Sequence, residues 1–323
     1  MRNKIMTIVK NLKLIFLMML FVVAFASCKQ NKTKNDTSKA EGDYVRLFAQ
    51  DRPSGQPFVF NMPIDEGLDN LELTDSGNEE LDSNELVLGI SLANSHIAVP
   101  IKYLSGFEVA NLVIGDDNFL LTYCPLVGSA RVFKGKINGT KSGFDFGRGL
   151  KDNNLLIIDR ETKSVWNQLS GKAIEGKLKG KHLSPLASIQ STWGFWKAKY
   201  PTTKVAINKD TSNAAFPEEV LQKRYYNTWM PGKKRPNNSE HQIQNLGLGI
   251  DLGSLDIFFP LETLFEGNSP LIYKQKNEEV YIHFDSSGLT AWAEDKKGGM
   301  IPSTIVYDWA WNNFYPNTIV FKK

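Results

Sequence analysis

The chain has 323 residues, a formal charge of +3, 41% hydrophobic residues and two cysteines. Four of its basic residues, and no acidic ones, lie in the first 13 positions, so the rest of the chain carries about 3 − 4 = −1. This excludes the one-sided basic field that nucleic-acid binding needs, and we expect no nucleic-acid partner.

Residues 1–27 have the layout of an export signal peptide. Four basic residues precede an apolar run at residues 14–26, which is shorter than the roughly 18 residues of a membrane-spanning helix. The run ends in Phe25, Ala26, Ser27 and Cys28, which resembles a lipobox. We therefore predict a bacterial lipoprotein in which Cys28 is the lipidation site and the lipid anchors the protein to a membrane of the cell envelope, facing the periplasm. The alternative is an ordinary signal peptide, with Cys28 as a thiol.

Two polar segments separate the predicted anchor from the first apolar strand. Residues 28–43 contain the lipidated cysteine and a flexible tether in which Ala40 is the only apolar residue after Cys28. Residues 44–85 form an acidic lead-in segment, with nine acidic and no basic residues between positions 65 and 85. A cation site would explain this charge. The missing Asp-x-Asp-x-Asp-Gly spacing favours a solvated segment leading into the first strand.

The remaining chain contains an internal repeat. Residues 88–92, Leu-Gly-Ile-Ser-Leu, match residues 248–252, Leu-Gly-Ile-Asp-Leu, at an offset of 160. Further along, Trp196 and Tyr200 match Trp311 and Tyr315 at an offset of 115. These matches indicate a first module at residues 86–207, a connecting segment at 208–245 and a second, shorter module at 246–323. The first module carries an insertion of about 45 residues, by the difference between the two offsets.

Local patterns indicate which elements the modules contain. Residues 119–123 and 280–284 are β-branched and aromatic, as expected of strands. Residues 193–199 and 308–314 each precede a Tyr-Pro, which is typical of a short helix that stops there. The predicted fold class is α+β and strand-dominant, with two related modules from an internal duplication, the first carrying the insertion.

Several separated motifs resemble those of the Domain of Unknown Function 3179 (DUF3179) family. They lie at residues 121–130, 157–162, 164–169, 171–174 and 191–193, and the resemblance covers about residues 86–207. The family is uncharacterised. Its usual pattern is Cys-Pro-Leu-Cys at a strand end, and some members carry selenocysteine at the second position, which implies thiol redox or soft-metal chemistry.

This chain departs from the family pattern where that chemistry would occur. The second cysteine of the pair is replaced by Val127, and the family's upstream histidine by Phe107. A Cys-x-x-Cys pair needs both thiols, one to attack and one to resolve the mixed disulfide or complete a metal site. Without a second cysteine, Cys124 is a candidate catalytic thiol or copper ligand that would act as a single thiol. The alternative is that Cys124 is a buried residue that packs like a small apolar side chain.

Other residues that match the family motifs are candidates for lining a pocket. Asp159 and Arg160 are adjacent on a predicted strand, so their side chains point to opposite faces. A structural role for each, in hydrogen bonds to nearby backbone, is as well supported as a place in a pocket. The full set of pocket candidates is Asn153, Asp159, Arg160, Trp166, Gln168, Thr192 and Trp193.

The histidines and tryptophans give weaker indications. His96, His182, His241 and His283 lack metal-ligand spacing, so we predict no metal site. His283 and Asp285 could form an outward-facing pair, or simply be half-buried strand residues. Exposed tryptophans would suit glycan stacking, whereas the recurrence of Trp196 at Trp311 favours packing.

The leading interpretation is a non-enzymatic, lipid-anchored protein with a binding or structural role. We predict no cofactor, and a protein partner in the cell envelope fits this role. The first alternative is a thiol-redox or copper-handling protein that acts through Cys124. The second is a glycan-binding lipoprotein. Phosphate-binding loops, serine-esterase elbows and zinc-protease helices are missing from the sequence, which disfavours those enzyme classes.

Overall fold

The structure is a computed structural model that describes residues 44–45, 66–69, 71–92, 95–125, 127–151, 154–208 and 246–323. The predicted signal peptide, Cys28 and the tether lie outside these ranges, as does most of the connecting segment. The chain divides into two compact units, Met1–Val45 and Arg46–Lys323. Strand β1 (Tyr44–Val45) belongs to the first unit, and all elements below belong to the second.

The second unit is strand-dominant with four short helices in its described part, which confirms the strand-dominant α+β class. Up to residue 208 its elements are β2 (Glu72–Asp75), β3 (Leu86–Leu92), β4 (Ser95–Pro100), α1 (Ile101–Phe107), β5 (Val109–Ile114), β6 (Asp117–Cys124), β7 (Ser129–Lys134), β8 (Lys136–Ile137), β9 (Thr140–Lys141), β10 (Phe144–Lys151), β11 (Asn154–Asp159), β12 (Val165–Asn167), β13 (Ala173–Glu175), β14 (Pro185–Leu186), β15 (Ile189–Thr192), α2 (Trp193–Lys199) and β16 (Lys204–Ile207). From residue 246 they are β17 (Leu246–Asp251), β18 (Asp256–Pro260), α3 (Leu261–Phe265), β19 (Leu271–Gln275), β20 (Glu278–Asp285), β21 (Thr290–Glu294), β22 (Met300–Ile301), β23 (Ser303–Tyr307), α4 (Asp308–Phe314) and β24 (Ile319–Val320).

Each module contributes two small sheets. In the first module they have the strand orders β15-β3-β4-β16, which β2 of the lead-in segment extends beyond β16, and β14-β7-β6-β5. In the second module the orders are β23-β17-β18-β24 and β19-β20-β21-β22. The insertion of the first module forms the antiparallel series β10, β11, β12 and β13, preceded by the β8–β9 hairpin. The predicted helices at 193–199 and 308–314 are confirmed as α2 and α4.

Strand register in the two modules differs by the same offsets that the sequence repeat shows. Gly89 pairs with Ala98 and Ile189, while Gly249 pairs with Phe258 and Thr304. The step from Gly89 to Gly249 is 160 residues and the step from Ile189 to Thr304 is 115, as in the sequence comparison. Both β4 and β18 end in a proline that caps a helix.

A glycine in each module makes room for an indole. A Cβ atom at Gly89 would overlap the Trp196 ring, and one at Gly249 would overlap Trp311. Both indoles are fully buried, and each donates a 2.9 Å hydrogen bond to a threonine seven residues later. The close approach of ring to strand therefore requires glycine at both positions.

The modules share one core and cover each other's hairpin turns. The main cluster of buried side chains includes Leu88 and Leu248, from the first strand of each module. Tyr307 N donates to Val127 O at 3.1 Å, and Thr192 N donates to Gly288 O at 3.0 Å. Since Thr192 and Tyr307 each precede a helix, each helix start covers a turn of the other module.

The acidic lead-in segment is more structured than the sequence indicates. Leu68 and Leu71 are buried, and β2 pairs antiparallel with β16 at the edge of a sheet. Leu68 N and O also bond the backbone of β5. Its few leucines supply the apolar contact that docks this part of the segment, while Asp69 pairs with Arg160 and Glu85 with Lys102.

Candidate functional site

Cys124 lies at the end of β6, where β6 turns into β7. It pairs with Ser129 across the hairpin, and its exposed fraction is 0%. Val127, at the position of the missing second cysteine, is also fully buried and donates its N–H to Cys124 O at 3.3 Å. Because Tyr307 of the second module covers the turn, solvent does not reach the thiol in the folded protein.

Gln168 lies beside this turn and uses its full hydrogen-bonding capacity there. Its Nε2 donates to Thr122 Oγ1 and to Ser129 O, both at 3.2 Å. Its Oε1 accepts from Ser129 Oγ at 3.1 Å and from Asn154 Nδ2 at 2.8 Å. Two donors and two acceptors are thus all satisfied. Gln168 joins the insertion to the β6–β7 hairpin, which is a structural role.

Asp159 organises the turn between β11 and β12. Its side chain is completely buried and accepts hydrogen bonds from Thr162 N, from Thr162 Oγ1 at 2.9 Å and from Ser164 N at 3.1 Å. Trp166 Nε1 adds a fourth, at 2.9 Å. Two of the pocket candidates, Asp159 and Trp166, therefore contact each other and close a turn.

Arg160 occupies the opposite face of the strand end, as alternation predicts. Its guanidinium forms ion pairs with Asp145 at 2.7 Å and with Asp69 at 2.8 Å. The hydrogen bond that Arg160 donates to Asp145 raises the pKa of Arg160, burial opposes this rise, and Asp69 adds to it. Arg160 thereby ties the acidic lead-in segment to the insertion.

The remaining pocket candidates lie elsewhere. Thr192 Oγ1 accepts a 3.4 Å hydrogen bond from Phe195 N and caps α2, while Trp193 packs in a separate small core cluster. Asn153 is outside the described residues. The candidates thus divide between the Cys124 turn, the β11–β12 turn, the surface and a helix start, rather than meeting in one place.

His283 and Asp285 do not contact each other among the described pairs. His283 stacks on Trp292 with ring centroids 5.1 Å apart and lies 3.3 Å from Glu294, while Asp285 accepts from Gly288 N. Within the described ranges, no group of three or more His, Cys, Asp or Glu side chains is arranged to hold a metal ion. Five of the six described tryptophans are buried, so they do not form an exposed stacking surface.

Sequence reasoning missed Arg131, the residue with the most unusual surroundings near the turn. Arg131 pairs with Thr122 on β6 and is only 8% exposed. Its guanidinium carbon lies 5.4 Å from the centroid of the Phe133 ring. To the residues that the structure describes, the guanidinium makes neither a hydrogen bond nor an ion pair. The sequence signal for it is a charged residue between the apolar Ala130 and Val132.

The electrostatic surroundings of Arg131 come from the second module. Burial lowers the pKa of Arg131, and the nearby Tyr315 and Asp251 oppose that change. Burial also raises the pKa of Tyr315 to about 12, against the effect of Arg131. Removing a cation from water costs several kcal/mol, whereas a cation–π contact returns up to about 2 kcal/mol. The Phe133 ring therefore offsets only part of the cost of burying this charge.

Comparison with known proteins agrees with the family motifs. The family model described as "Protein of unknown function (DUF3179)" matches residues 68–318, so the chain belongs to this family. No curated protein and no solved structure matches the chain. In the described part of the chain, no helix is both long and apolar enough to span a membrane.

Proposed function

We propose that this DUF3179 protein is a non-enzymatic binding protein, held by a lipid at the membrane of the bacterial cell envelope. The observation that supports a non-enzymatic role is the burial of Cys124 and Val127 beneath the second module. A reactive thiol needs solvent access and a neighbour that stabilises the thiolate. Here the second thiol is replaced by an apolar side chain, and the hairpin turn is closed.

The location at the membrane rests on residues 1–28. A short apolar run after basic residues, followed by a small residue and Cys28, fits a lipid-anchored protein. In a detergent phase-partition experiment, the native protein should enter the detergent phase and Cys28→Ala should not be processed or should remain in the aqueous phase. An unmodified aqueous native protein would contradict the anchor.

We also propose that the two modules arose by duplication, followed by insertion of β8–β13 into the first. The support is the shared strand order, the shared register offsets and the recurring pairs of glycine and tryptophan. Chance similarity of two small sheets would not reproduce the register at every pairing. The duplicated scaffold then places two similar hairpin turns at the junction of the modules.

Thiol reactivity tests the non-enzymatic role. With Cys28 acylated, Cys124 is the sole thiol, and it should react with an aromatic disulfide reagent only through opening of the structure. An opening that costs about 4 kcal/mol slows the reaction about a thousandfold relative to unfolded protein. Ser286→Cys, made in a Cys124→Ala background, supplies an exposed reference thiol on the Asp285 turn. Native Cys124 reacting as fast as this reference would support the thiol-redox alternative.

A further inference from the structure

Two equivalent positions at the module junction have very different surroundings. Arg131 lies two positions from the Cys124–Ser129 pair on its hairpin, and Trp292 lies two positions from the Asp285–Thr290 pair on the other. Trp292 donates to Glu294 at 2.8 Å and stacks with His283, and Lys199 Nζ lies 4.5 Å from its ring centroid. The Trp292 indole therefore has a hydrogen-bond acceptor, a stacked ring and a nearby cation.

At Arg131 the pairing is incomplete. Asp251, whose negative charge acts on Arg131, is exposed, and its Oδ1 accepts a 2.7 Å hydrogen bond from Gly253 N within its own hairpin turn. No described acid lies within ion-pair distance of the guanidinium. A guanidinium presents five N–H donors in a planar fork, and an exposed fraction of 8% leaves little water to accept from them.

We propose that Arg131 binds an oxyanion, namely a carboxylate, phosphate or sulfate group, where the β6–β7 hairpin meets the second module. Each of these groups offers two oxygens that match the guanidinium fork and would supply the missing negative charge. This inference names the ligand chemistry of the proposed binding role and rests on that role. Tyr315, whose pKa is raised by burial, stays protonated at neutral pH and adds no competing charge.

Thermal unfolding of the full lipidated protein in detergent tests the site. Sodium phosphate, sulfate and acetate are titrated separately at constant ionic strength, with chloride as the balancing anion. At ten times its Kd, a bound anion raises Tm by about 3 °C, and Tm then continues to rise with the logarithm of the anion concentration. A response to acetate as well as phosphate indicates a carboxylate-type ligand, and a response to phosphate and sulfate alone indicates a tetrahedral oxyanion. Either response supports the proposal.

Three variants locate the effect. Arg131→Gln should abolish the logarithmic rise and, because it removes an unpaired buried charge, should raise Tm in chloride alone. Arg160→Gln alters a guanidinium that already has two carboxylate partners and should keep the full response. Asp251→Asn removes a nearby negative charge and should tighten anion binding severalfold.

A native protein without this logarithmic response, or one whose response is matched by Arg131→Gln, overturns the proposal. If Arg131→Gln does not fold, Arg131→Lys replaces it, because lysine keeps the positive charge but lacks the planar fork. The proposal is equally overturned if the anion affinity is unchanged in both Arg131→Lys and Asp251→Asn. Rapid reaction of Cys124 with a thiol reagent would instead refute the non-enzymatic role, and it would leave the anion result standing.

Discussion

At the scale of single residues, Asp159 shows how a motif residue stabilises the fold. Four hydrogen bonds end on its buried carboxylate, two of them from backbone N–H groups. Asp159→Asn keeps the shape but turns one acceptor oxygen into a donor. We expect a loss of about 2–4 kcal/mol in the free energy of unfolding, because buried donors of Ser164 or Trp166 lose their acceptor.

Urea unfolding followed by circular dichroism measures this loss. The matched control is Glu161→Gln, which changes the same charge on the exposed neighbouring residue and should stay within about 0.5 kcal/mol of the native protein. Equal effects of the two substitutions would mean that the turn does not depend on the carboxylate.

Val127 permits a second test at this scale. Restoring the family's pair with Val127→Cys should give a dithiol at the hairpin turn, since Val127 and Cys124 are joined across one turn. Soft thiolates favour copper(I), so the variant should bind copper(I) more tightly than the native protein in a chelator competition. Cys124→Ala should cost only about 1 kcal/mol of packing. Tight copper binding by the native protein, abolished in Cys124→Ala, would contradict our reading of the thiol.

Sequence could predict part of this site. Alternation along a strand was enough to place Asp159 and Arg160 on opposite faces, and the apolar surroundings of Cys124 favoured burial. Arg131 could not be singled out, because the two groups that act on its charge, Asp251 and Tyr315, lie more than 100 positions away in the sequence. A charged side chain on a strand points to solvent unless residues from a distant part of the sequence cover it.

At the scale of elements, the glycines facing Trp196 and Trp311 set how closely a helix packs on its sheet. Gly89→Ala or Gly249→Ala would push an indole off the strand and break its fit with the following threonine. We expect a loss of about 3 kcal/mol or more for each, measured by urea unfolding. Gly77→Ala is the control, since nothing lies within 4 Å of its added Cβ. Similar stabilities for Gly77→Ala and Gly89→Ala would refute the packing argument.

Elements with strong local signals were the predictable ones. The two Tyr-Pro stops marked the ends of α2 and α4, and β-branched and aromatic runs fell within β6 and β20. β2 was not predicted, because its four residues form a strand only by pairing with β16 at a sheet edge. Its acidic neighbours indicated solvent, and the pairing partner lies far along the chain.

At the scale of the whole molecule, the sequence repeat favours two modules, and this stays a prediction; it carries no information on how they would pack. Hairpin turns and helix starts carry no pattern that identifies a distant partner. The contacts are nevertheless reciprocal, since Tyr307 bonds the turn that contains Val127 and Thr192 bonds the turn that contains Gly288. Shared core residues such as Leu88 and Leu248 add apolar contact to these hydrogen bonds.

This reciprocity predicts that the two modules unfold together. Each hairpin turn loses its cover if the other module opens, so partial unfolding would expose core side chains of both. Urea unfolding monitored by tryptophan fluorescence and by far-ultraviolet circular dichroism should therefore give coincident midpoints.

Thr304→Val, which removes the 2.9 Å hydrogen bond from Thr304 Oγ1 to Ala130 O across the junction, should lower the free energy of unfolding by about 1 kcal/mol and shift both midpoints equally. Ser286→Ala changes an exposed hydroxyl and is the control. Two separated transitions, or a Thr304→Val shift seen by one probe alone, would mean that the modules are independently stable and that the junction contacts contribute little to folding.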